Sequence, residues 1–82
     1  MAKLKISVYK TGQEKPETVM TIPLTMVRIT TGLLPKKVKL VLKEEEIDLN
    51  EIANLAEKQA IKGTVLKMEK EAKRITIEVA IV

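Results

Sequence analysis

Alternating apolar and polar residues predict β-strands at both ends of the chain. Such alternation turns one face of a strand toward a core and the other toward water. The pattern is clearest at residues 3–9 and 74–82, and shorter runs at 17–22 and 64–69 fit it too. Turn-forming or charged residues separate the members of each pair, so a hairpin is expected at each end. The apolar positions of the two long strands are Leu4, Ile6, Val8, Ile75, Ile77, Val79 and Ile81.

A first helix is predicted at residues 23–34. Pro23 suits its first turn, because proline has a fixed φ angle and no N–H to leave unpaired. At 3.6 residues per turn, the apolar side chains fall on two opposed sides. One side carries Leu24, Val27 and Leu34, and the other carries Met26, Ile29 and Leu33. Only one side can lie on a sheet, so the second is either covered by neighbouring helices or available to another chain.

The pattern leaves residues 35–46 open between strand and helix. Alternation from Lys37 to Lys43 fits a strand. A helix beginning after Pro35 would group Val38 and Val41 on one face, but it would end in consecutive carboxylates, which oppose the helix dipole.

The next helix is marked by its start. Asp48 is a suitable N-cap, and Glu51 completes a capping box. An apolar stripe follows at helical spacing, and Gly63 is expected to end the helix. With two strands at each end, the sequence predicts an α+β fold: a small antiparallel sheet covered on one face by two or three helices.

Three motifs, in order, resemble the SHOCT-like family of small bacterial and archaeal domains. They are TIPLTMV at residues 21–27, IDLNEI at 47–52 and the closing hairpin at 63–79. Glu46, Met68 and Ala72 depart from the family pattern, which has glycine before the second motif and an acidic residue and a glycine in the hairpin. The resemblance implies a helix at residues 35–46. It implies no reaction and no catalytic residues.

Composition bounds the class of protein. The chain has 82 residues and is expected to form one domain over residues 1–82. It has no Cys, no apolar run long enough to span a membrane and no apolar leader, so we expect a cytoplasmic protein. The high Lys and Glu content without Cys or His also resembles thermophile proteins.

The residue inventory argues against catalysis, cofactors and metals. Neither His nor Cys is present, which removes the commonest general base, the thiol nucleophile and the softer metal ligands. Ser7 is the only serine, and we expect the face that it shares with Lys5 to be open to water, which disfavours a Ser–Lys dyad. The acidic residues 44–46 and Asp48 lack calcium-loop spacing, and no glycine-rich phosphate loop occurs. We therefore predict a protein that is not an enzyme and needs no cofactor.

Two binding functions remain. The first is a protein-interaction or oligomerisation module, with Met26, Ile29 and Leu33 as the partner-binding residues and a homodimer as one outcome. Ala80, Val82 and Val65 would add a small apolar area on the open sheet face. The alternative is a basic protein that binds nucleic acid without sequence specificity. Its phosphate contacts would come from Lys36, Lys37, Lys39 and Lys43. With Tyr9 as the only aromatic residue and only two Arg, neither base stacking nor base-edge readout is favoured, and no membrane partner is expected.

Overall fold

A four-stranded antiparallel sheet forms the frame of the protein. The computed structural model describes residues 2–82, and every side chain among them except that of Thr31. The strands are listed in chain order as β1 (Lys3–Lys10), β2 (Thr18–Pro23), β3 (Gly63–Lys70) and β4 (Ile75–Ile81). Their spatial order is β2-β1-β4-β3, so both hairpins form and the first and last strands pair in the centre. The predicted α+β fold is confirmed.

The first helical segment, residues 24–33, is less regular than a single helix. It consists of a 3₁₀ turn (Leu24–Met26), the short helix α1 (Val27–Thr30) and a second 3₁₀ turn (Thr31–Leu33). Pro23 is the last residue of β2 and precedes the segment. β-Branched residues lower helix propensity, and Gly32 lowers it further, which accounts for the tight turns at both ends.

Residues 36–44 are helical, which resolves the ambiguity of that stretch. Helix α2 runs over Lys36–Glu44 and buries Val38, Val41 and Leu42. Leu40 would share a strand face with Val38, yet half of its surface is exposed, as helical spacing requires. Two of the carboxylates at this helix end, Glu44 and Glu45, pair with lysines from the closing hairpin, which offsets their repulsion by the helix dipole.

Helix α3 (Leu49–Gln59) begins as the sequence predicts. The Asp48 carboxylate accepts a hydrogen bond from the backbone N–H of Asn50 at 2.9 Å. The predicted end at Gly63 is wrong. Ala60 adopts the left-handed conformation, with φ 51°, and closes the helix. Gly63 is instead the first residue of β3, with a φ of 95°.

The core lies between the sheet and the helices. All seven apolar positions of β1 and β4 listed above are buried, as alternation predicted. The sheet contributes Ile22 and Met68 as well, and the helical layer adds Leu24, Val27, Leu34, Val38, Val41, Leu42, Leu49, Ala53 and Ala56. Aliphatic side chains alone fill this space, with no aromatic residue among them. Within the described residues, no helix is both long and apolar enough to cross a membrane.

Candidate interaction surface

Three large apolar side chains form an exposed stripe on the first helical segment. Met26, Ile29 and Leu33 lie three and four residues apart, which places them on one side of a helical turn. Their exposed fractions are 46%, 74% and 77%, respectively. We call these three residues the outer stripe. The other helices of the described chain therefore do not cover the outer stripe, which was one of the two possibilities that the sequence left open.

The opposite side of the segment is fixed in the core. Leu24, Val27 and Leu34 are buried, with Val27 only 1% exposed. Thr25 and Arg28 line a depression shared with α3. These contacts fix the direction in which the outer stripe points, because the segment cannot rotate without exposing its buried side.

A hydrogen bond within the segment fixes the Thr30 side chain. The Thr30 hydroxyl donates to the backbone carbonyl of Met26 at 2.8 Å, one turn earlier. Such a bond satisfies a threonine hydroxyl inside a helix and limits its rotamers. The outer stripe therefore lies on a segment whose opposite side is packed in the core.

Other exposed apolar residues were not singled out by the sequence. Val19 on β2 is 46% exposed, and Leu55 on α3 and Leu40 on α2 are each 50% exposed. Val19 lies opposite Ser7 of β1, on the sheet face that carries no helices. Strand alternation is the signal that could have found it, since an apolar residue stands there at a position predicted to face water.

The open sheet face differs in part from expectation. Val82 is 53% exposed. Ala80 and Val65 are only partly buried, and Val65 lies at an irregularity in the pairing of β3 with β4. Ser7 is 5% exposed, so the prediction that water surrounds it is wrong. Its position on a central strand, with Val19 and Glu78 directly opposite on the two neighbouring strands, explains this burial.

Three of the four candidate phosphate-contacting lysines share one side of α2, because Lys36, Lys39 and Lys43 lie three and four residues apart on this helix. Lys39 and Lys43 line a cavity of about 290 Å³ together with Leu34. Lys37 lines a different cavity, of about 350 Å³, beside Lys10. Lys36 is exposed on the first turn of α2. Phosphate binding usually needs several cations along one track, and only Lys37 lies off the helix side that the other three lysines share.

The acidic turn at the end of α2 makes ion pairs. Glu44 accepts a hydrogen bond from Lys73 Nζ at 2.7 Å, and Glu45 pairs with Lys70 Nζ. The Lys73 ammonium lowers the pKa of Glu44, and the Glu45 carboxylate raises the pKa of Lys70. In the part of the chain that the structure describes, no group of three His, Cys, Asp or Glu residues is placed to hold a metal ion.

Comparison with known proteins assigns the family. Residues 2–80 match the family model described as the C-terminal domain of YvlB-like protein. The resemblance to the SHOCT-like family is therefore corrected, since the model that covers nearly the whole chain is a different one. Neither the curated proteins nor the solved structures include a significant match. With that match over residues 2–80, the chain belongs to the family of the C-terminal domain of YvlB-like proteins.

Proposed function

We propose that this chain is a non-catalytic protein-interaction module that binds its partner through the outer stripe. The observation that carries the proposal is the exposure of Ile29 and Leu33, about three quarters of each residue, on a helical segment whose opposite side is buried. Large apolar side chains that stand together on a surface mark sites of protein association more often than isolated ones do.

The stripe supplies a useful but incomplete share of binding free energy. Full burial of an aliphatic side chain is worth about 1.5–3 kcal/mol, so covering the exposed parts of Met26, Ile29 and Leu33 gives about 3–6 kcal/mol before the costs of association. Three residues are also few for a standard interface, in which each partner contributes about 800 Å² and roughly 20–30 residues. A stable complex therefore needs a second contact area next to the stripe.

The packing of the segment favours binding, because association then immobilises little chain. The rest of the proposal rests on the residue inventory. With neither His nor Cys, we propose no catalytic role and no cofactor, and the lack of Cys also supports the cytoplasm as the compartment.

The test compares two charge substitutions. Ile29→Glu should abolish association without lowering stability, since the side chain is exposed in the free protein. Leu55→Glu is the matched control: it adds the same charge at an exposed leucine outside the α3 residues that line the depression next to the first segment. Association is measured by sedimentation velocity of the purified protein, and by affinity capture from a lysate with each variant as bait.

Loss of partner binding in Ile29→Glu alone supports the proposal. Two results would contradict it. One is that both variants bind as the unmodified protein does. The other is that Ile29→Glu unfolds the domain, because the stripe would then be part of the core.

A further inference from the structure

The backbone of β2 presents hydrogen-bonding groups to solvent along one edge of the sheet. Lys3 and Val82 exchange both of their backbone hydrogen bonds, each at 2.9 Å, so the peptide groups of Lys3 point to β4. Because the direction alternates along an antiparallel strand, the peptide groups of Leu4 and Ile6 point to β2. Their partners there are Ile22 and Met20.

The intervening residues of β2 are therefore turned outward. These are Val19, Thr21 and Pro23. Val19 and Thr21 each present a free N–H and C=O, and Pro23 presents only a C=O. This also explains how a proline is accommodated in the strand, since its missing N–H lies on the side without a partner strand.

The opposite edge of the sheet is protected, whereas the β2 edge is not. The pairing of β3 with β4 is irregular between Thr64 and Leu66, and the outward positions beyond it carry Lys67 and Glu69. Bulges and edge charges are the usual means by which proteins prevent pairing of sheet edges. β2 pairs with β1 in unbroken register over six residues, TVMTIP, and contains no charged residue. Pro23 limits pairing only at its end.

The helical segment that carries the outer stripe adjoins β2. The first helical segment follows β2 directly in the chain, and α1 contacts β2 on one side and α3 on another. The side of the segment that carries Met26 and Ile29 contacts neither the core nor the depression shared with α3. The segment that carries the stripe follows β2 directly and contacts it, so the β2 edge is the candidate for the second contact area that the stripe alone lacks.

We propose that the partner is a second copy of this chain, joined β2 to β2 in antiparallel orientation about a twofold axis. The axis is perpendicular to the sheet, because only that symmetry makes adjacent antiparallel strands from two copies while keeping both helical layers on one side. The two four-stranded sheets become one, and the two outer stripes meet above the join. This inference rests on the proposed function and specifies its partner.

The twofold axis passes between the two copies of Thr21. In this register Thr21 exchanges both hydrogen bonds with Thr21 of the second copy, and Val19 N–H donates to the carbonyl of Pro23. Every outward N–H of the strand is then used, and no two like charges face each other across the join. An extended peptide added to the same edge would satisfy the backbone but would leave the outer stripe uncovered, which favours a second copy.

The sharpest test removes one outward N–H. Thr21→Pro deletes a donor that the isolated chain does not use, and Pro23 shows that this strand accepts proline at an outward position. Thr21→Val keeps the donor and is the matched control. We expect Thr21→Pro to weaken dimerisation about 100-fold, since each dimer loses two hydrogen bonds and leaves their acceptors unpaired, while Thr21→Val changes it less than about threefold.

Sedimentation equilibrium measures the dissociation constants, and far-UV circular dichroism checks the fold. A second measurement uses the unmodified protein: the amide protons of Val19 and Thr21 should become protected from exchange as concentration rises, while those of Lys67 and Glu69 should not. This exchange test holds even if Thr21→Pro fails to fold.

The outcomes separate this inference from the proposed function. A protein that stays monomeric at about 100 μM, far above a micromolar dissociation constant, overturns the inference and leaves the proposed function to the lysate capture. If Ile29→Glu is monomeric but Thr21→Pro still dimerises, and the two amides stay unprotected, the stripe mediates association and the β2 edge does not. Loss of dimerisation in both variants, with Thr21→Val unchanged, supports the inference.

Discussion

Replacing Glu46 with glycine should stabilise the protein. Glu46 follows α2 with a φ of 56°, in the left-handed region that favours glycine. Two backbone bonds close the helix around it: Glu46 N–H donates to the Lys43 carbonyl at 3.2 Å, and Ile47 N–H donates to the Leu42 carbonyl at 2.8 Å. This is the Schellman arrangement, in which glycine is the usual residue at the position that Glu46 occupies. Glu46→Gly keeps both bonds, since both are made by the main chain.

The expected gain follows from two opposing terms. A residue with a Cβ atom in the left-handed conformation costs about 1–2 kcal/mol. Glycine relieves this strain, but it also makes the unfolded chain more flexible, which lowers the free energy of unfolding by about 0.5–1 kcal/mol. The net increase in the free energy of unfolding is then about 0.5–1 kcal/mol. Removing a carboxylate from the negative end of the α2 dipole acts in the same direction.

Urea unfolding followed by far-UV circular dichroism measures the effect, because the chain has no Trp and a single Tyr to report by fluorescence. The midpoint should rise by about 0.5 M at an unchanged slope. Glu46→Ala separates the two contributions, since it removes the carboxylate but keeps the Cβ atom. If Glu46→Gly is no more stable than Glu46→Ala, the backbone of this turn is not strained and the reasoning is refuted.

Three further predictions concern the core, a helix cap and an ion pair. Ile77→Ala should lower the free energy of unfolding by about 2–5 kcal/mol, because it removes most of a residue that is 1% exposed and leaves a cavity in the core. A loss below about 1 kcal/mol in urea unfolding would show that β4 is not part of the core. Asp48→Ala should cost about 0.5–2 kcal/mol, while Asp48→Asn, which keeps an acceptor, should retain most of the stability; equal losses in the two variants would exclude a capping role. Lys73 lowers the pKa of Glu44, so this ion pair stabilises the folded protein at pH values above the usual glutamate pKa. That stabilisation is lost as the pH falls through the lowered pKa. Glu45 raises the pKa of Lys70, so the pair of Lys70 with Glu45 stabilises the folded protein at neutral pH. That stabilisation is lost only as the pH rises through the raised pKa of Lys70. Stability measured from pH 2 to 6 should therefore show a smaller acid loss in Lys73→Gln, and an identical acid profile would contradict the pairing.

The alternative function gives one more measurable outcome. Any binding of nucleic acid should be independent of sequence and should disappear as salt is raised, because the exposed lysines of α2 offer phosphate contacts only. Fluorescence anisotropy with two unrelated duplexes tests this. A preference for one duplex that persists at high salt would show base readout that these residues do not account for.

The sequence by itself determined the strands and the two sides of the first helical segment. Period-two alternation at Ile75 and Ile77 can bury only one strand face, and the structure buries that face. In the same way, helical spacing placed Val27 and Ile29 on opposite sides, and these are among the most buried and most exposed apolar residues. Both results depend on the direction of neighbouring side chains, which local backbone geometry fixes.

Only the tertiary structure decided between helix and strand at residues 35–46. Both conformations bury Val38 and Leu42, and they differ in whether Val41 or Leu40 joins them. Packing in the helical layer buries Val41 and exposes Leu40. The run of carboxylates that opposed a helix is balanced by Lys73, which lies 29 residues from Glu44 and pairs with it. No local pattern contains that compensation.

One part of the candidate interface could be predicted from the sequence, and the other part required the tertiary structure. Sequence periodicity found the outer stripe, but whether α2 covered it depended on how the helices pack. That β2 forms one edge of the sheet depends on the strand order, which follows from the pairing of β1 with β4 between opposite ends of the chain. Side-chain periodicity shows only the direction in which neighbouring side chains point. Whether a surface is covered, how the strands are ordered and which strand forms an edge depend on contacts between residues far apart in sequence. For this reason the stripe could be predicted from the sequence, and the β2 edge could not.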